Sequence, residues 1–204
     1  MTIDHIGAVL YEEYIILRII GRLSFPLFCY LLVLGMENTR NWKNYFTRLF
    51  IFALISQIPY FLVFDFQPFE QLNIFFTLSF GVLFLHFHDK NMILTLLPIV
   101  ASVILNVDYS LYGIALIGCL FVLRKDIKCG VFAAVLLNIF FYIPNLALYT
   151  QMFSLLAIPI ILLHHNGFLK IGRRVEWTTF YSSLRKYAFY AYYPLHLALF
   201  FLIK

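Results

Sequence analysis

The chain has 204 residues, of which 63% are hydrophobic and 12% are charged, and its formal net charge is +5. Soluble globular domains hold roughly 45–50% apolar and about 25% charged residues, so this composition excludes a water-soluble domain. The apolar runs are continuous and do not alternate with polar residues, which leaves a bundle of membrane helices. We therefore predict an all-α, polytopic transmembrane bundle made by a single domain, residues 1–204.

Charged or turn-forming residues divide the apolar runs into about nine predicted spans. These cover residues 1–11, 15–36, 46–64, 72–88, 92–106, 111–123, 130–143, 152–163 and 187–203. At about 1.5 Å per residue, the first reaches roughly half of a hydrocarbon core about 30 Å thick, so the first span is incomplete. Either the chain starts upstream of Met1, which we favour, or this segment is a re-entrant half helix sheltered by protein.

Lysine and arginine occur in every second loop. Twelve of them lie in one set of loops, at residues 37–48, 86–91, 124–128 and 164–186. The other set holds none, at residues 12–14, 65–71, 107–110 and 144–151. The positive-inside rule places the first set in the cytoplasm, with Asn41 and Arg173, and the second set outside, with Glu70 and Tyr149. Because the positive charge follows topology in this way, we expect the bilayer and no nucleic acid as a partner.

Ionisable side chains inside the predicted spans are the main functional candidates: Asp4, His5, Arg18, Arg22 and His196. A charged group near the bilayer centre costs at least about 2.5 kcal/mol. Neighbours on a helix point about 100° apart, so Asp4 cannot orient His5 directly. We expect His5 to face a cavity and Asp4 to pair with the arginines, which share one helix face. The alternatives are a neutral structural histidine and an ion pair that only joins two helices.

Other polar residues near the ends of the predicted spans could have either a structural or a functional role. Asn73 and Tyr112 lie at outer span ends, where they could contact substrate or serve as a helix cap and an interfacial belt residue. His86 and His88 lie two residues apart and point in different directions on a helix, so no metal site is expected.

Several motifs, taken in order, resemble the TraX family of bacterial integral-membrane proteins. They are DHIG, LRIIGRLSFPLFCYLLVLG followed by TRNWKNYFTRLFIFALIS, then LNIFFTLSFGVL, YG, LLAIPIILL and YYPLHL. As a set they are specific, and they span nearly the whole chain. The resemblance implies a multi-pass acetyltransferase of the bacterial cytoplasmic membrane, related to transmembrane acyltransferases, with acetyl-CoA as donor. The namesake of the family is associated with acetylation of the amino terminus of conjugative pilin.

The resemblance also implies site residues. It matches the Asp-His, the paired arginines, the outer asparagine and the final histidine of the family to Asp4, His5, Arg18, Arg22, Asn73 and His196. The chain departs from the family at Leu34 and Gln57, where members often carry an acid, and near Asn38, where they often carry a histidine. Members also carry an apolar segment before the Asp-His. These departures leave the acceptor open.

We predict transfer of an acetyl group to an amine or hydroxyl of a pilin-like peptide or a glycan. His5 would remove the proton of the acceptor, with Asp4 beside it, while Arg22 or His196 stabilises the oxyanion. Covalent transfer through His5 is the less favoured route. No metal is required.

Binding residues are predicted on both sides of the membrane. The substrate-binding residues are Arg18, Asn73 and Tyr112. The phosphates of the donor would bind cytoplasmic cations, namely Arg40, Lys43, Arg48, Arg173 and Arg174.

Two other functions fit the same residues. A proton-coupled carrier would use the membrane histidines and Asp4 as a relay, although no internal repeat is visible. A non-catalytic assembly partner of pilin or a similar peptide would use the helices only as a docking surface. An enzyme consumes acetyl-CoA, a carrier responds to a gradient, and an assembly partner does neither.

Overall fold

Helices make up most of the chain. The structure, a computed structural model, describes residues 1–11, 13–142, 146–169 and 179–204, without the side chains of 142, 146–149 and 179–186. The α-helices are α1 (Thr2–Val9), α2 (Ile15–Arg22), α3 (Ser24–Asn38), α4 (Trp42–Phe64), α5 (Ile74–Phe87), α6 (Met92–Ile104), α7 (Ser110–Lys125), α8 (Ile127–Tyr142), α9 (Ala157–His165) and α10 (Thr179–Ile203). A 3₁₀ helix, Leu146–Leu156, precedes α9. In these ranges the only β contact is a bridge between Leu72 and Val107. The all-α prediction is confirmed.

Polar residues set the starts of several helices. Asparagine side chains cap α4, α5 and α6 at Asn41, Asn73 and Asn91. Before α8, the carboxylate of Asp126 accepts a hydrogen bond of 3.0 Å from the backbone N–H of Cys129, which lowers the pKa of the Asp126 carboxyl. These caps bind the otherwise unpaired amides of the first turn, so the helices begin at the predicted polar loops.

The second predicted span is interrupted at Leu23. The apolar run 15–36 predicts one helix, but α2 ends at Arg22 and α3 begins at Ser24. Pro26 has no N–H to donate to the carbonyl of Arg22, four residues earlier. The hydroxyl of Ser24 donates to the carbonyl of Gly21 at 2.6 Å. The interruption therefore coincides with loss of a regular backbone bond at Arg22.

Other helix limits differ from the apolar runs by a few residues. For example, α4 begins at Trp42 and α10 at Thr179, both before their predicted apolar segments. Backbone hydrogen bonding does not require apolar side chains, so a helix continues into the polar region at its end. The predicted span 152–163 is divided between the 3₁₀ helix and α9.

Many large apolar side chains face outward, among them Met92 at 79% exposure and Leu202 at 80%. So large an exposed apolar surface indicates a lipid environment. Two described helices are long and apolar enough to cross a membrane: Ile15–Asn38, counted through the interruption at Leu23, and Trp42–Phe64. The remaining described apolar helices are shorter, so the nine crossings stay a prediction.

Contacts between described loops at the ends of the bundle join members of the same charge set. At one end, Arg124 and Glu37 form an ion pair of 3.0 Å. At the other, the side-chain amide of Asn106 donates to the carbonyl of Glu70 at 2.8 Å. Lys204 also pairs with Asp65 there. The buried helix α5 lies between these ends, with most of its side chains in the core.

Candidate functional site

An ion-pair cluster joins α1 to α2. Arg18 Nη1 lies 3.0 Å from Asp4 Oδ1 and also donates to the backbone carbonyl of Asp4 at 3.1 Å. Arg22 Nη2 lies 3.7 Å from the same carboxylate oxygen. The two arginines, one turn apart, thus share one acid, as the helix spacing predicts. Asp108 is a second acid whose charge acts on both arginines.

Small residues allow this close approach of the two helices. A Cβ atom added to Gly21 would lie 2.6 Å from the Cα atom of Asp4. One added to Gly7 would lie 2.8 Å from the Cβ atom of Leu17. Backbone and Cβ atoms cannot withdraw as a flexible side-chain end can, so glycine at both positions brings Asp4 within reach of the arginines.

Arg22 also contacts the loop before α7. Its Nη1 atom donates to the hydroxyl of Tyr109 at 3.1 Å. The ring of Tyr109 stacks on Phe25 with centroids 3.8 Å apart, and its backbone is left-handed with φ of 61°. The Nε atom of Arg22 is buried and has no hydrogen-bond partner among the described residues. Arg22 therefore keeps one N–H available for a ligand.

Two buried histidines form the second part of the site. His5 Nδ1 lies 2.9 Å from His196 Nε2, and the side chains are 7% and 6% exposed. The ring centroids are 5.1 Å apart and the ring planes differ by 5°. Stacked rings would hold their atoms about 3.5 Å apart or more, so the short contact identifies a hydrogen bond between nearly coplanar rings.

The hydrogen bonds define the proton positions. His196 Nδ1 lies 2.8 Å from the backbone carbonyl of Tyr192, which only accepts, so Nδ1 carries the proton. In a neutral ring, Nε2 of His196 then accepts from Nδ1–H of His5. A neutral His5 consequently has an unprotonated Nε2. Neutral rings are the form that an apolar interior favours.

Aromatic rings surround this pair. Phe64 meets His5 edge-on with centroids 5.5 Å apart, and Phe200 packs against both histidines. A small apolar cavity of about 40 Å³ lies next to them, lined in part by Tyr192 and Tyr193. Asp4 takes no part in the pair and points to the arginines instead, as the angular offset between neighbouring helix residues predicts.

Asn73 and Tyr112 lie in separate buried networks. Asn73 Nδ2 donates to the carbonyl of Ala53 and to Gln57 Oε1, both at 2.8 Å, while its Oδ1 accepts from the backbone of Phe75. These bonds use the polar atoms of Asn73 to fix the start of α5 against α4. The hydroxyl of Tyr112 bonds with Ser154 at 3.2 Å and with Asn138 at 3.3 Å. A substrate role for either residue stays a prediction.

Comparison with known proteins identifies the family. The profile of the family described as TraX protein matches residues 1–204, the entire chain. The chain belongs to the TraX family. The resemblance found in its motifs is thereby confirmed.

Two relatives show how this TraX chain compares with individual proteins. It is 26% identical over 226 residues to the probable fimbrial assembly protein FimC, serogroup H1, of Dichelobacter nodosus, covering 98% of this chain and 88% of that protein. It is 34% identical over 87 residues to an uncharacterized protein of Rickettsia prowazekii (strain Madrid E). That match covers 43% of this chain and 32% of that protein. No solved structure shows significant similarity to the chain.

The predicted donor-binding cations of the TraX chain lie in different settings. Arg40 and Lys43 are exposed, and Arg48 lines an open cleft between α3, α4 and α10. Arg173 and Arg174 lie outside the described residues.

The sequence does not single out Tyr109 or Tyr192 as site residues. Tyr109 bonds Arg22, and the carbonyl of Tyr192 fixes the tautomer of His196. Every residue has a backbone carbonyl, so the sequence does not show which one accepts the hydrogen bond of His196. The spacing of Tyr192 and His196, four residues apart on one helix, is the available signal.

Proposed function

We propose that this TraX chain is a membrane acyltransferase that moves an acetyl group from acetyl-CoA to an amine or hydroxyl acceptor. One observation carries the proposal: His5 is held by His196 so that its Nε2 lone pair is available as a base. A histidine of this kind suits general-base catalysis near neutral pH.

In the proposed acetyl transfer, His5, Arg22 and His196 each have a different role. His5 Nε2 takes the proton of the acceptor as its nitrogen or oxygen attacks the thioester carbonyl. The new bond to carbon forms, the carbon–sulfur bond breaks, and His5 returns the proton to the departing thiolate. Arg22, with an unpartnered buried Nε–H, is the donor we assign to the developing oxyanion. His196 has both ring nitrogens committed, so it orients His5 and does not bind the oxyanion.

The cavity beside the histidines supports a short acyl group. Its volume of about 40 Å³ is that of about three water-sized probes, at 10–15 Å³ each. Its lining includes Met1, Phe28 and Tyr193 and is almost entirely apolar. An acetyl group, with three heavy atoms, fits this space.

The membrane setting extends the same proposal. The outward apolar side chains and the alternation of loop charge support a single-domain protein that crosses the bacterial cytoplasmic membrane about nine times. The loops at the Arg48 end would face the cytoplasm, where acetyl-CoA is found. Asp4, Arg22 and Tyr109 would lie near the outer surface, where the acceptor approaches.

A pilin-like peptide is the acceptor we favour. The Dichelobacter nodosus relative is named as a probable fimbrial assembly protein, and its similarity covers nearly all of this chain. The amino terminus of a pilin supplies an amine nucleophile. The unpaired Nε–H of Arg22 would bind a peptide carbonyl or carboxylate.

The test is acetyl transfer by purified protein. The full chain in detergent is mixed with acetyl-CoA labelled in its acetyl group and with a pilin-like amino-terminal peptide or a glycan. Label should appear on one acceptor with release of free thiol. A carrier or an assembly partner would leave acetyl-CoA unchanged with every acceptor, and that result would reject the enzyme.

A further inference from the structure

An open cleft at the end of the bundle opposite the Asp4 cluster has a polar lining. It has a volume of about 320 Å³ and is bordered by Gly35, Asn38, Thr39, Tyr45, Arg48 and Tyr190. The cavities next to His196 and between α4 and α10 are lined by apolar and aromatic residues instead. A polar cleft with one cation is suited to a ligand of opposite charge.

Arg48 is unpaired by any acid in the described part of the chain. The ion pairs found there use Arg18, Arg22, Arg124, Lys204 and His88 as the basic partner. The Nε atom of Arg48 is buried and has no hydrogen-bond partner among the described residues. A buried donor on an uncompensated cation is costly unless a ligand or water binds it.

Two tyrosines lie beside this guanidinium. Its carbon atom lies 5.8 Å from the ring centroid of Tyr45, and Tyr190 borders the same cleft. Gly35 makes room for Tyr45, because an added Cβ atom would lie 2.7 Å from the hydroxyl of that tyrosine. The ring of Tyr45 thus restricts the arginine before any ligand arrives, which lowers the entropy cost of binding.

We infer that this cleft binds a phosphate group through the guanidinium of Arg48. Arginine binds phosphate with several parallel N–H donors, and the uncharged Asn38 and Thr39 add no competing negative charge. Coenzyme A and an anionic lipid headgroup are the two sources of phosphate at a membrane surface. The inference rests on the proposed function only in naming coenzyme A as the favoured source.

The position of the cleft fits a donor that reaches the histidines. Tyr190 borders the cleft, and His196 lies six residues further along α10, about 9 Å at 1.5 Å per residue. Tyr193, between them, packs against the ring of His5. A phosphate held at Arg48 would leave the rest of the donor to extend along α10 toward His5.

Binding of labelled coenzyme A, without an acetyl group, tests the inference apart from turnover. The full chain is placed in phosphatidylcholine nanodiscs, and Arg48→Gln, Arg48→Lys and the isosteric Asn38→Asp are compared with it. We expect Arg48→Gln to weaken binding about 10–100-fold and Arg48→Lys to weaken it less. Asn38→Asp should weaken it by repulsion. Adenosine 3′,5′-bisphosphate should compete, and pantetheine should not.

Lys128→Gln is the matched control, since it removes one exposed cation of the same set of loops outside the cleft. A second arm measures retention of labelled phosphatidylglycerol during delipidation. Loss of coenzyme A binding in Arg48→Gln supports a donor phosphate, and loss of lipid retention alone supports a lipid phosphate. Unchanged values in both arms, or no binding by the parent chain in either, would overturn the inference. Binding that depends on Arg48 without acetyl transfer would reject only the enzyme.

Discussion

His5 and His196, 191 positions apart, share a hydrogen bond of 2.9 Å that joins α1 to α10. His196 is held in turn by the carbonyl of Tyr192. This chain of two bonds fixes which nitrogen of His5 is basic. This geometry gives the two histidines different proposed roles. His5 would contact the acceptor as the general base, whereas His196 would only orient His5.

That difference predicts opposite outcomes at His196. In His196→Gln, a side-chain oxygen can still accept from Nδ1–H of His5, so most activity should remain. His196→Leu removes the acceptor, and kcat should fall about 10–100-fold, the loss seen when residues that orient metal-binding histidines are changed. KM for the donor should stay the same. Steady-state kinetics at several pH values check this, and equal loss in both variants would contradict the positioning role.

Asp4 and Arg18 are expected to stabilise the packing of α1 against α2. Replacing Asp4 with Asn leaves two partly shielded arginines without their acid. A double-mutant cycle with Asp4→Asn and Arg18→Gln should give a coupling free energy of about 0.5–3 kcal/mol. The free energy of unfolding in mixed detergent is the measurement. Strictly additive effects would show that the 3.0 Å contact contributes nothing to stability.

Gly21 should tolerate no side chain. Gly21→Ala places a methyl group against the backbone of Asp4, so α1 must move and the Tm should fall by several degrees. Gly118→Ala is the matched control, because the nearest atoms to an added Cβ there belong to the ring of Phe84 at 3.4 Å. A similar Tm for the two variants would argue against close packing of α1 on α2.

Sequence predicts the ion pair but not the histidine bond, for physical reasons. Asp4 is an acid in an apolar segment, and Arg18 and Arg22 on one helix face are the cations of the next segment along the chain. No periodicity relates His5 to a residue near the other end of the chain, since their contact depends on packing of α1 against α10. The interruption at Leu23 and the 3₁₀ helix likewise depend on local backbone bonding that hydrophobic runs do not encode.

The loop charges predict which end of the bundle faces the cytoplasm. In a variant without cysteine, Asn41→Cys should be protected from a membrane-impermeant maleimide in intact cells, and Glu70→Cys should react. Both residues are exposed, so lack of reaction at position 41 would reflect sidedness. Permeabilised cells provide the control in which both react. Strong labelling at position 41 in intact cells would contradict the predicted topology and place this loop outside the cell.

Acetyl transfer by His5→Gln is the most direct measurement of the proposed chemistry. Glutamine keeps much of the shape of histidine and can still donate to His196, but it cannot take a proton at neutral pH. We expect acetyl transfer to fall by about 10²–10⁴-fold, as in His5→Ala, while the Tm in detergent and coenzyme A binding stay near those of the parent chain. A well-folded His5→Gln protein with parental turnover would contradict the assignment of His5 as the general base.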